Sequence, residues 1–240
     1  MTAPARVVIG DAELWHGDCR DVLPLLDPVS AVVTDPPYGI LNVAGESLTA
    51  PLRKSSCQLG SGKLRNRILN TSAVEWDIAP SADVFDALRA ISAQQIIWGG
   101  NYFDLPPTRG MLVWDKQQPW ENFSQVEIAW TNLCRPAAIF RESATRGTPD
   151  KVHPTQKPLS LMVWCVAMLD GGTVLDPYMG SGTTGSACAQ IGKAFIGIER
   201  DRKYFDIACA RIEAAQRQGR LLLPHDAPQK PVQEAMEYGD

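Results

Sequence analysis

The chain has 240 residues, 45% of them apolar and 21% charged, and carries a formal net charge of −4. That is enough for one α/β domain with a sizeable core and too little for a second large one. No apolar run approaches the roughly 20 residues that span a membrane, and the first residues lack the apolar core of a secretory leader; together these predict a cytoplasmic protein with no membrane partner. Six cysteines, at 19, 57, 134, 165, 188 and 209, form no CxxC pair and several fall in apolar patterns. Buried free thiols are expected, and no metal site. The acidic balance counts only mildly against a nucleic-acid partner, because a local basic patch decides that question.

In chain order, Arg6-Val-Val-Ile9 is a short apolar strand and Glu13-Leu-Trp-His-Gly-Asp18 a second one ending in an acid. An amphipathic helix over Cys19–Leu26 follows, with Pro24 marking its end and Asp18 placed to cap its start. Val32-Val33-Thr34 is a buried parallel strand that breaks off into the rigid loop Asp35-Pro36-Pro37-Tyr38. Open α/β sheets place ligands at the carboxyl ends of such strands. A flat, amino-bearing base suits this loop: Asp35 accepts one N–H, a carbonyl held by the prolines accepts the other, and Tyr38 offers a face for stacking. Read without a partner, the same loop serves equally as a Pro-rich turn.

Leu41–Ile78 is polar, with little apolar periodicity, and holds Arg53, Lys54, Lys63, Arg65 and Arg67 with no acid between them. A loop of this length is usually functional or disordered, and its place beside Asp35 suggests a DNA-contacting flap over residues 41–78; a solvated insertion is the alternative. Helical spacing predicts a helix over Ala82–Ser92, then a strand Gln95–Trp98 before a Gly pair, with Asn101-Tyr102-Phe103 at its tip. Met111–Trp114 is a further strand, and Gln125–Trp130 and Ala137–Phe140 read as an antiparallel closing pair. The tryptophans are expected in the core, Trp120 excepted. Lys151-Val-His153-Pro-Thr155-Gln-Lys157-Pro158 then leads into a helix over Leu159–Leu169, a helix start with a nearby Lys that suits a carboxylate ligand. His153 serves equally well as a turn residue.

Thr173–Thr184, with Asp176-Pro-Tyr178-Met-Gly180-Ser181-Gly182-Thr183-Thr184, is a strand, a Gly-rich turn and a helix start. The next strand, Ala194–Glu199, ends in an acid, completing a βαβ unit in which such an acid commonly holds ribose hydroxyls. The turn is neither GxGxxG nor a P-loop, so a nucleoside cofactor without a pyrophosphate fits it best. Asp201–Gln218 is an amphipathic helix with Tyr204, Phe205, Ala208 and Ile212 on one side. Residues 222–240, rich in Pro and acids, are expected to form a disordered tail behind a domain over 1–221.

The Asp35–Tyr38 loop followed by the Asp176–Thr184 turn, with His153-Pro-Thr-Gln-Lys157-Pro between, resembles the amino-group DNA methyltransferases in their permuted β arrangement, where the catalytic motif precedes the cofactor motif. One departure is Tyr178, where that family usually has Phe. The resemblance implies a single Rossmann-like α/β domain, with a doubly wound, mostly parallel sheet and a closing antiparallel strand. It also implies S-adenosylmethionine as cofactor, double-stranded DNA as partner and N6 of adenine as target. Asp35, Pro36, Pro37 and Tyr38 are then catalytic. Cofactor contact falls to Asp18, Asp35, His153, Thr155, Lys157, Asp176, Tyr178, Gly180, Ser181, Gly182, Thr183, Thr184 and Glu199. N4 of cytosine is the alternative target, RNA or protein a more distant one, and a homodimer and a cognate restriction endonuclease are left open as partners.

Overall fold

The computed structural model describes residues 4–40, 77–118, 124–143 and 156–218. Its strands are β1 (Ala5–Ile9), β2 (Ala12–His16), β3 (Ala31–Thr34), β4 (Gln94–Trp98), β5 (Gly110–Asp115), β6 (Val126–Thr131), β7 (Ala138–Arg141), β8 (Thr173–Asp176) and β9 (Ala194–Glu199). The helices are α1 (Cys19–Val22), α2 (Ala82–Ile91), α3 (Leu159–Ala167), α4 (Thr183–Ile191) and α5 (Arg202–Gln218), with 3₁₀ turns at Leu23–Leu25 and Gly100–Tyr102. The basic residues Arg53, Lys54, Lys63, Arg65 and Arg67, together with Trp120, His153, Thr155 and the tail from 222, lie outside the described residues.

The strands form one sheet in the order β1-β2-β9-β8-β3-β4-β6-β5-β7. From β2 through β9, β8 and β3 to β4 every pairing is parallel. Five strand ends therefore open on the same edge of the sheet. Val32 packs with α1 and α2 on one face, whereas Ala31 and Val33 pack with α3, α4 and α5 on the other. That alternation on a central strand, each buried Val contributing roughly 1.5–3 kcal/mol, is what a sheet covered on both faces requires. This is the doubly wound, mostly parallel fold expected, and among the described residues no helix is long and apolar enough to cross a membrane.

The closing strands differ from expectation. β6 runs antiparallel between β4 and β5, and β7 pairs with β5 in parallel at the sheet edge, so β6 and β7 do not pair with each other. Their adjacency in sequence suggested a hairpin, but β6 inserts between β4 and β5 and the chain then crosses over to the far side of β5. One consequence bears on the site: the end of β5 and the start of β6 reach the same sheet edge as the end of β4. The tryptophans at 98, 114 and 130 are buried in the core, as expected.

Candidate active site

β3 ends because Asp35-Pro36-Pro37 has no N–H at its two prolines to continue the ladder. The loop that leaves it is anchored on its far side, where the Gly39 amide donates to Asp77 Oδ1 at 2.9 Å. Tyr38 folds back so that its hydroxyl donates to Asp35 Oδ1 at 2.6 Å. Its ring lies over Gly99, where any Cβ would stand 2.1 Å from the ring, so Gly99 admits Tyr38, whereas a Cβ on Gly100 would press on Trp130 at 2.4 Å. On the following 3₁₀ turn Tyr102 stacks on the same ring, centroids 4.9 Å apart and planes at 22°, while remaining 46% exposed. Tyr38 therefore presents a covered face, where the sequence suggested a bare one.

The second oxygen, Asp35 Oδ2, accepts from Lys157 Nζ at 2.6 Å. Lys157, whose side chain is 5% exposed, also lies 2.9 Å from Glu127 Oε2, and Glu127 Oε1 meets Lys116 Nζ at 2.5 Å. The Glu127 Oε2 contact has the distance of an ion pair without the angles of a directed hydrogen bond. Burial alone would depress Lys157, but Asp35, Tyr38 and Glu127 outweigh it and hold the ammonium well above its ordinary range. Burial pushes the Asp35 carboxyl up, with Lys157 pulling it back. For Glu127 burial is overcome by the two lysines, which bring it down to about 2.

Sequence reading placed Lys157 beside a helix start, waiting for a carboxylate ligand; the structure places it between Asp35 and Glu127. Glu127 and Lys116 were not foreseen. The available signal was an acid inside the apolar run Val126–Trp130, near the start of a strand.

The other half of the site is the turn between β8 and α4. Asp176 is buried and accepts from Thr34 Oγ1 (2.8 Å), the Tyr178 amide (3.1 Å) and Thr184 Oγ1 (2.6 Å), so it pins both ends of the turn to the tip of β3. Burial lifts it to about 6. Glu199, at the tip of β9, accepts from the Gly180 amide at 3.0 Å and the Asp201 amide at 2.7 Å, and burial raises it too. The two glycines separate in role. Gly180 has open space where a Cβ would stand, whereas a Cβ on Gly182, at φ +79°, would press on Ala208 Cβ of α5 at 2.9 Å. Gly182 is thus required by helix packing, and the open side of the turn is at Gly180.

Asp18 caps α1 by accepting from the Arg20 amide at 2.9 Å and pairs with the Arg20 guanidinium. It stands next to Glu199, since the Gly17 amide donates to the Glu199 carbonyl at 3.0 Å. Asp35, Lys157, Asp176, Tyr178, Gly180, Ser181, Thr183 and Thr184 line a common pocket. Asp18 and Glu199 sit along the same sheet edge. Among the described residues no group of three or more His, Cys, Asp or Glu is placed to hold a metal ion.

Residues 113–210 match the family model N6_N4_Mtase, described as DNA methylase. The match takes in Lys116, Glu127, Lys157 and the whole Gly-rich turn, and begins after the Asp35 loop. Over 64 residues, 26% of this chain, the sequence is 44% identical to Type II methyltransferase M2.DpnII of Streptococcus pneumoniae and equally to Type II methyltransferase M.HinfI of Haemophilus influenzae. Those stretches span 24% and 18% of the two relatives. Among solved structures, the complex of M1.HpyAVI with SAM aligns with a TM-score of 0.54 at 21% identity, over 83% of this chain and 99% of that one. PvuII DNA methyltransferase (cytosine-N4-specific) aligns at 0.53 and 16%, over 85% and 87%. At these identities the likeness establishes the fold alone, a Rossmann-like α/β sheet.

Proposed function

We propose that this chain moves a methyl group from S-adenosylmethionine to the exocyclic N6 of adenine in double-stranded DNA. The observation that carries the reading is that Asp35 and the Gly180–Thr184 turn, 145 positions apart at their first residues (180 − 35), line one pocket at the carboxyl edge of a parallel sheet. The residues suit the cofactor. Gly180 leaves its backbone open on the pocket side, and the acids Asp18 and Glu199 at neighbouring strand tips suit an adenine amine and ribose hydroxyls. S-adenosylmethionine supplies a methyl group activated on a sulfonium.

An aromatic amine is a poor nucleophile because its lone pair is drawn into the ring. Asp35 and the Pro36 carbonyl, by accepting its two N–H bonds, draw the nitrogen toward tetrahedral geometry and turn the lone pair outward. The rate gain is one of alignment and fixed charge, with no covalent enzyme intermediate. A carboxyl raised by burial is also suited to take the proton that the amine sheds. Because the amine is out of reach in a duplex, the base flips out and takes the face of Tyr38 that Tyr102 covers in the free protein. Phosphate contact is assigned to Arg53, Lys54, Lys63, Arg65 and Arg67, with a second copy of the chain or a cognate endonuclease as further partners.

The same chemistry serves N4 of cytosine. Asp as first residue of the loop supports adenine, since Ser is commoner there among the cytosine enzymes that the loop resembles. Incubation with tritiated S-adenosylmethionine and DNA, RNA or protein, followed by nucleoside chromatography, tests the proposal. Label is expected in DNA as N6-methyladenine; label as N4-methylcytosine, or only in RNA or protein, overturns the assigned substrate.

A further inference from the structure

In the free protein Asp35 has both oxygens engaged, one by the Tyr38 hydroxyl and the other by Lys157. A carboxylate oxygen accepts up to two hydrogen bonds, and a target amine that takes a direction already occupied displaces one of these two donors. Tyr38 is held by the Gly99 backbone and the ring of Phe103, contacts that stay when a base replaces Tyr102, so the mobile partner is the lysine, a single charge on a flexible stem. Sending a buried ammonium away from its carboxylate would leave it uncompensated unless another anion stood within reach. Glu127 Oε2 stands 2.9 Å from Nζ with its hydrogen-bonding direction unused. Nζ stands over the faces of Tyr38 and Trp98, 5.7 and 5.6 Å from their centroids, and both favour a cation at this position.

We propose that Glu127 is a positioning residue that receives the Lys157 ammonium when the target amine takes its place on Asp35. No proton changes hands in the exchange; one ammonium swaps carboxylates and the site's net charge is constant. Lys116, on the other oxygen, keeps Glu127 ionised in its buried position and prevents it from holding Lys157 so fully that Asp35 loses its partner in the free state. The inference rests on the reading of Asp35 as acceptor of the amine.

The test is steady-state kinetics of full-length Glu127→Gln on genomic DNA from a methylation-free host, with S-adenosylmethionine affinity measured by calorimetry. The swap is isosteric, and it should lower kcat about tenfold or more while moving cofactor affinity by less than about twofold. A wild-type kcat, or a loss that appears in cofactor affinity in place of kcat, overturns the role. Should the variant not fold, a crystal structure of the wild-type protein decides. It would hold S-adenosylhomocysteine and a duplex bearing the modified site mapped from that DNA. Nζ hydrogen-bonded to Glu127 Oε2 and detached from Asp35 is the expected result, and Nζ still on Asp35 beside a docked base the contrary one. Asp35→Ala separates the two ideas: turnover in that variant removes the amine-acceptor reading, whereas a dead Asp35→Ala beside a normal Glu127→Gln removes only the exchange.

Discussion

The two halves of the site satisfy their buried carboxylates in opposite ways. In the Gly-rich half, Asp176 and Glu199 accept hydrogen bonds from hydroxyls and backbone amides, and burial still lifts Asp176 to about 6 and raises Glu199. In the Asp35 half the partners are ammonium groups: Glu127, held by both Lys116 and Lys157, falls to about 2, while Asp35, with Lys157 alone, is still raised by burial. Neutral donors fill lone pairs without cancelling charge, whereas an ammonium does both. The first arrangement makes a rigid cradle from backbone. The second makes a set of charges whose partners can be exchanged.

Asp35→Ala is the largest break in this comparison. It removes the acceptor of the target amine and leaves Lys157 to Glu127, so kcat should fall by about two to three orders of magnitude, in the range seen when one preorganised electrostatic partner is lost. Cofactor affinity, which depends on the other half, should survive. Methyl transfer and calorimetry read the two separately, and near-normal turnover would end the assignment of Asp35.

The contrast in pKa predicts opposite pH dependences. Asp176 has a folded value of about 6 against an ordinary 3.8. Its contribution to stability is therefore complete below about 3.8 and is lost as pH rises through about 6. A rise of this size corresponds to roughly 3 kcal/mol. Glu127 has the reverse sign: its contribution is present above its ordinary 4.5 and is lost as pH falls through about 2. Urea unfolding between pH 4 and 7 should show stability rising toward acid, and Asp176→Asn should flatten that slope. Glu127→Gln should lower stability throughout the range above about pH 4.5 and flatten the fall between about 4.5 and 2. A slope unchanged by Asp176→Asn would mean that its three donors, and not its burial, decide its ionisation.

The same contrast explains what could be seen in the sequence. Thr173–Glu199 is local: a strand, a turn and a helix start follow one another, so residue types at short spacing disclose both the βαβ unit and the turn. The Asp35 loop is legible for a similar reason, because two prolines after a Val run stop a strand wherever they occur. Lys116 lies just past the end of β5 and Glu127 near the start of β6, two strands that pair, and Lys157 reaches them from the approach to α3. Nothing at short range records that meeting. The parallel placement of β7 was hidden likewise, since sequence neighbours favour a hairpin and strand order is decided by how the chain crosses the sheet. Gly182 shows the converse, a residue found by motif whose cause, the close approach of Ala208, lies in tertiary packing.

Glu199→Gln sharpens the comparison on the cofactor side. Glu199 orders the Gly180 amide and, on the proposed reading, binds ribose hydroxyls, so losing its charge should cost about 1.5–3 kcal/mol of cofactor binding, tenfold or more in Kd. The change should appear in Kd far more than in kcat at saturating cofactor. Equal affinities of the two proteins by calorimetry would show that the acid serves the turn alone.

The smallest expected effect is at Tyr178, where the enzymes that the motif resembles usually have Phe. Its backbone amide bonds Asp176 and its ring packs against the α1–α2 core, and neither contact needs the hydroxyl. That hydroxyl accepts from the Cys19 thiol at 3.3 Å, a weak donor, and burial holds it protonated, far above its ordinary range. Tyr178→Phe removes one weak bond, leaves the thiol unpaired and keeps the packing, so stability should change by less than about 1 kcal/mol. Cofactor affinity should stay within about twofold, because the group is turned toward α1. Cys19→Ala in the Phe background should then cost no more than its lost volume, as the pair no longer exists. A tenfold loss of S-adenosylmethionine affinity in Tyr178→Phe would place the hydroxyl on the ligand and make this aromatic a polar contributor to the cradle, narrowing the difference between the two halves.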